Sequence, residues 1–139
     1  MSVHIGIAEY LGSVVPSLAY SETGNASIFV DDLPTAPDVA VGVYAQPGPE
    51  ADSKLPYDSP GVQILIRCGS DPRPGLTLWQ TIYSELHALR NYTLPDGTYL
   101  VSALAEQAGP VRMGADASGR QVYGLNLRTE IRNPTIARP

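Results

Sequence analysis

Several things that catalysis, anchoring or cross-linking needs are scarce in this chain. Of its 139 residues only one is a cysteine, Cys68, and two are histidines, His4 and His87. A lone thiol closes no disulfide within the chain. Its place in an apolar alternating run marks it as a buried free cysteine and favours folding inside the cell. The histidines are far apart and have no Cys, Asp or His at ligand spacing, which speaks against a zinc site. Basic residues number 9 against 14 acids, and the formal charge of −5 disfavours a general binder of nucleic acid or anionic membrane. No stretch reaches transmembrane length, and the opening MSVHIGIAEYLG lacks a basic n-region and carries Glu9 where a signal peptide is apolar. The sequons at Asn25 and Asn91 are then expected to be chance matches. Also missing are the nucleophile elbow G-x-S-x-G, the phosphate loop G-x-x-x-x-G-K-[ST], and a G-x-G-x-x-G after a strand. The sequence therefore suggests neither enzyme nor cofactor nor metal.

Glycine and proline, by contrast, are abundant, at 13 each, although they form no periodic repeat. With 43% apolar and 17% charged residues, the chain is expected to fold as one domain over residues 1–139, with short elements and long connections. Charge is segregated. From Pro110 onward Arg112, Arg120, Arg128, Arg132 and Arg138 face only Asp116 and Glu130, whereas Asp31, Asp32, Asp38, Glu50, Asp52 and Asp58 are opposed only by Lys54, the sole lysine. Such runs are commonly solvated loops, or they let the acidic loop of one copy meet the arginine-bearing end of the next.

Val3, Ile7, Tyr10, Leu11 and Val14 recur at helical spacing between Ser2, a candidate N-cap, and Pro16. A turn over Ser21–Asn25 leads to strands Ser27–Val30 and Val39–Ala45. Gln46–Gly61 is a long proline-rich loop of the length that is usually functional or mobile. Val62–Cys68 alternates, with Val62, Ile64, Ile66 and Cys68 on one face and Gln63, Leu65 and Arg67 on the other, as in a central strand. After the break Asp71–Gly75, the residues Leu76, Trp79, Ile82, Tyr83, Leu86 and Leu89 (or Arg90) give a second helix, in which Trp79 is a core residue and His87 lies on the flank. Asn91–Gly97 reads as the exit and Thr98–Ala105 as a strand. Val111–Met113 and Gln121–Arg132 form a hairpin around the tip Gly114–Gly119, with Tyr123, Leu125, Leu127, Thr129 and Ile131 sharing a buried face. The expected class is α+β, an antiparallel or mixed β-sheet packed against two α-helices, with a long β-hairpin.

The run Leu55-Pro56-Tyr57-Asp58-Ser59-Pro60-Gly61-Val62-Gln63-Ile64-Leu65-Ile66-Arg67 resembles the signature of the tailed-bacteriophage minor capsid or tail terminator (tail completion) family, in which an x-P-Y-D-x-P-x-V-Q-I-x-V-R segment leads into a central strand. Val43-Tyr44-x-x-Pro47-Gly48, Leu86-His87-Ala88-Leu89-Arg90-Asn91, Pro110-Val111-x-Met113-Gly114 and Gly119-Arg120-x-Val122-Tyr123-x-Leu125-Asn126-Leu127 extend the resemblance from about Val41 to Ile131. It implies a structural protein of a siphophage-type virion, assembled in the host cytoplasm. Such a protein forms a ring, typically of six copies, at the head-proximal end of the tail tube, where it stops polymerisation and joins tail to head. The implied partners are further copies of the chain, the tail tube protein and the head-tail connector or stopper, with no membrane, and DNA passes through the ring without specific binding. In this reading the loops 46–61 and 114–119 contact neighbouring subunits or the tube, with Tyr57, Asp58, Arg112, Asp116 and Arg120 as candidate contact residues. Two alternatives stay open: another connector component such as a stopper or head completion protein, and a small hydrolase or ligand-binding protein, which would need a deep pocket with converging polar groups.

Overall fold

The computed structural model describes residues 2–20 and 27–139, so the turn expected over Ser21–Asn25 lies outside the described residues. The elements run α1 (Val3–Val14), β1 (Ile28–Val30), β2 (Ala40–Gln46), β3 (Tyr57–Asp58), β4 (Gly61–Arg67), α2 (Pro72–Leu86), β5 (Arg90–Thr93), β6 (Tyr99–Ala105), β7 (Val111–Ala115) and β8 (Gln121–Arg132). Ser2 occupies the N-cap of α1 with extended backbone, but its hydroxyl makes no capping bond; its carbonyl accepts from the amides of Ile5 and Gly6. The helix ends at Val14, just short of Pro16, whose ring cannot continue it.

The second helix begins earlier than the break suggests. Asp71 caps it by accepting the Arg73 amide at 3.1 Å, and Pro72 and Pro74 fall in the first turn, where a missing N–H leaves no helical bond unmade. This start sets the phase. Leu78, Trp79, Ile82 and Leu86 are buried, whereas Leu76, expected in the core, is 38% exposed. Tyr83 stacks between Trp79 and His87, with ring centroids 5.0 Å apart on each side. The chain turns at Ala88, whose φ is +65°, so Leu89 lies beyond the helix and Arg90–Thr93 runs back along β6 as an edge strand instead of an irregular exit. All four residues of β5 are exposed, and a strand without a buried side shows no apolar alternation to read.

The described residues form an eight-stranded sheet in the order β1-β2-β4-β8-β6-β5, with β3 and β7 also pairing with β8. It is mixed, because β1 and β2 are parallel and the remaining pairs antiparallel. Cross-strand partners share a face. The rows Val41–Ile66–Tyr123, Val43–Ile64–Leu125 and Ala45–Val62–Leu127–Ala105 face the helices, and most of their side chains are fully buried with Ile7 and Leu11 of α1 and Trp79, Ile82 and Leu86 of α2. Both helices therefore cover one face. Cys68 belongs to this core, where burial pushes its thiol pKa up.

The indole of Trp79 ties α2 to the central strand by donating to the Gly124 carbonyl at 2.9 Å within the core. Trp79→Phe removes the donor together with part of the buried ring, and it is expected to lower unfolding stability by about 1–3 kcal/mol in denaturant titration. An unchanged midpoint would show that the bond adds nothing to the docking of α2.

Candidate functional site

The face away from the helices is composed row by row. Gly42, Leu65, Gly124 and Val111 form one row, Tyr44, Gln63 and Asn126 the next, and Gln46, Gly61, Arg128 and Leu104 the third. Glu130 and Arg90 both flank Ser102, and Arg132 stands between Tyr57 and Tyr99. No helix covers these rows. At the first end, however, the acidic segment 31–39 folds across the sheet. Gly42 permits it, because a Cβ there would meet the Asp32 carbonyl oxygen at 2.6 Å.

Two arginines fasten that segment. Arg67, on the outer side of β4, is only 4% exposed and donates to the carbonyls of Asp38 at 3.1 Å and Pro37 at 2.6 Å. Arg120 leaves the base of the β7–β8 tip and donates to the Thr35 carbonyl at 2.7 Å and to Asp38 Oδ1 at 3.2 Å. The same guanidinium donates to Asp116 Oδ2 at 2.8 Å, while Asp116 Oδ1 accepts the amides of Ser118 and Arg120, so the tip itself is tightly ordered. These bonds, the Arg120 amide foremost, lower the Asp116 pKa. Burial, and then the neighbouring Arg120 charge, lower that of Arg67. At the other end of the segment Asp31 accepts from His4 Nε2 at 2.9 Å and from the Ala45 amide at 3.2 Å, and its pKa falls chiefly through the histidine bond.

The long loop between β2 and β4 is likewise secured. Gly48, at φ +70°, lets the loop close at its neck, where any side chain would run into the Ser59 carbonyl. Asp52 Oδ1 accepts the amides of Lys54 and Leu55, both at 2.7 Å, which makes an Asx turn. Tyr57 and Asp58 pair as β3 with the end of β8. Arg138, 7% exposed, then clasps the whole: it donates to Asp58 Oδ1 and Oδ2 at 2.8 and 2.9 Å, to the Asp52 carbonyl at 2.7 Å and to the Asn133 carbonyl at 2.9 Å. Asn133 Nδ2 adds a bond to Asp58 Oδ2 at 2.9 Å. Arg138, followed by Asn133, lowers the Asp58 pKa. Between this loop and the start of α1 lies an open cleft of about 330 Å³, lined by Val3, His4, Pro47, Pro60, Asp58 and Ile131 among others. Its two ionisable side chains, His4 and Asp58, are already bonded to Asp31 and Arg138. Among the described residues no group of three or more His, Cys, Asp or Glu side chains is placed to hold a metal.

The candidate contact residues divide accordingly. Asp58, Asp116 and Arg120 are turned inward to ion pairs within the chain, while Tyr57, 37% exposed, lies beside Arg132 on the uncovered face, and Arg112, also exposed, pairs with Tyr123 on the helix side of β7. Arg67 and Arg138 escaped the sequence reading. A hydrophobic alternation assigns Arg67 to a face but not to a loop 30 residues upstream, and nothing local marks an arginine that bonds a carboxylate 80 residues away.

A model of the family described as bacteriophage tail terminator protein matches residues 10–133. The chain belongs to that family. It is thus a member of a structural family of phage tails, a component of the virion with a role in tail completion, and not of an enzyme family. No curated protein matches the chain. The terminator match includes both fastened loops and the open sheet face, but stops short of Arg138. No helix of the described residues is long and apolar enough to cross a membrane.

Arg138→Ala is expected to free the loop without unfolding the sheet, because its partners Asp52, Asp58 and Asn133 lie outside the apolar core. Limited proteolysis with mass mapping should then show new cleavage between residues 47 and 60; a wild-type pattern would contradict the clasp. The clasp is also acid-labile. A carboxylate with a lowered folded pKa contributes its full stabilisation above the ordinary aspartate value of about 3.9 and loses it as pH falls through the lowered value. Thermal unfolding of Asp58→Asn should therefore differ most from wild type at neutral pH and converge with it below that window, whereas a constant difference would contradict the assignment.

Proposed function

We propose that the chain forms a ring, with six copies as the expected number, that caps the head-proximal end of a siphophage tail tube, stops further tube polymerisation and joins the tail to the head as a minor virion component. The observation that carries this reading is membership of the tail terminator family over residues 10–133. The geometry agrees with an assembly role: the helices sit on one face, the other is left open at its β6 end, and the long loops are held ready by arginines, so docking loses little loop entropy. Exposed residues such as Tyr57 and Arg112 are the contacts toward neighbouring copies or the tube protein, and the connector or stopper docks on the head side. A net charge of −5 lets DNA pass through the ring by like-charge repulsion and without specific binding.

Electron microscopy of lysates from phage lacking this protein tests the reading. Overlong or unjoined tails beside filled heads are the expected outcome. Free tails of normal length with heads leaking DNA would assign the chain to a stopper instead, and normal infectious virions would remove it from the head-tail junction.

A further inference from the structure

The open end of the outer sheet face carries a charge pattern that the fastened loops do not use. Arg128 sits beside Leu104, Glu130 and Arg90 flank Ser102, and Arg132 lies between Tyr57 and Tyr99. Arg90, Arg128 and Arg132 are exposed, and among the described residues none of the three enters an ion pair. Leu104, Tyr57 and Tyr99 are each 37% exposed between them. Exposed arginines interleaved with tyrosines are the side chains that dominate protein contacts. On the far side of Tyr57 the sign changes: a groove of about 310 Å³ is lined by Glu50, Asp52, Leu55, Asp58 and Glu130. Glu50 and Asp52 are exposed there, and among the described residues the Asp52 carboxylate accepts hydrogen bonds from two amides of its own turn alone.

We infer that this half-face is the contact between consecutive copies of the chain, the arginine stripe Arg90–Arg128–Arg132 of one copy receiving the acidic loop with Glu50 and Asp52 of the next. The inference rests on the ring reading above and names the surfaces that would build it. Charge complementarity selects the occupant, since the chain itself displays the matching acids on a loop that Arg138 already holds in place. The stripe and the acidic loop adjoin at Tyr57 and Glu130 but are built from different charged residues, so each copy can offer the stripe to one neighbour and the loop to the other, as a heterologous contact that closes a ring requires. A nucleic-acid partner fits less well, because the chain is net acidic, with a formal charge of −5.

Analytical ultracentrifugation of the purified chain tests this without any tube. Wild type is expected to self-associate, more weakly as salt rises. The double variants Arg128→Glu/Arg132→Glu and Glu50→Lys/Asp52→Lys should each weaken association by roughly tenfold or more while keeping the wild-type circular dichroism, and an equimolar mixture of the two should restore it. Four results would overturn the inference: a wild-type monomer up to about 1 mM, undiminished association of the variants, no rescue in the mixture, or duplex DNA binding that is lost in Arg128→Glu/Arg132→Glu. A non-associating variant that still completes tails of normal length would also overturn it while leaving the terminator role standing. Charge-dependent association of a chain whose loss leaves tails normal would spare the contact and remove the terminator role.

Discussion

The strand β8 is the constraint on which the remaining structure depends. Its 12 residues pair with β3 and β4 along one side and with β6 and β7 along the other, so five strands share one register. Because side chains alternate, that register sorts the sheet at a stroke. Tyr123, Leu125, Leu127, Thr129 and Ile131 point to the helices, while Asn126, Arg128, Glu130 and Arg132 point away. A shift by one residue would bury three charges and expose the core. The polar inward position is satisfied as well: Thr129 donates its hydroxyl to the Pro60 carbonyl at 2.6 Å, which also fixes where the long loop rejoins the sheet.

Charge is then divided between two tasks. Arg67, Arg120 and Arg138 hold acidic or carbonyl-rich loops against the sheet, and they do so from partly or fully buried positions where such bonds are strongest. The acidic middle and basic end of the sequence therefore meet first within one copy. Arg90, Arg128 and Arg132 stay outside this network on the uncovered face. Under the proposed assembly role the division has a physical logic: the internal pairs fix the shape of the loops within one copy, and exposed charges of this kind would supply orientation and partner selection on docking.

How much of this was legible in the sequence depended on whether the signal was local. The alternation of residues 62–68 and 121–132 and the helical period around Trp79 gave the central strands, the core face and α2, since each reflects burial repeated along one segment. Phasing of α2 was missed at Leu76 because two prolines in the first turn look like a break. The edge strand β5 and the two-residue β3 have no buried periodicity at all. The motif from Leu55 to Arg67 proved to be the neck of the long loop with β3 and β4, which explains in structural terms why Tyr57 and Asp58 stand out: one pairs outward beside Arg132, the other anchors Arg138. The clasps joining residues 58 and 138, or 38 and 120, bridge spans that no local pattern reports, so the inward turn of Asp58 and the reach of Arg120 to Asp38 leave no sequence signal; Asp116, by contrast, pairs with Arg120 only four residues away, within the polar tip.

Mixing the purified chain with tail tubes and imaging the tube ends by cryo-electron microscopy reaches the central claim most directly. The account predicts a closed ring at one end only, tubes that stop growing once it is seated, and the uncovered sheet face of each copy turned to its neighbour's 46–61 loop. Tubes that continue to lengthen with the chain bound along their sides, or ends that stay bare, would contradict it.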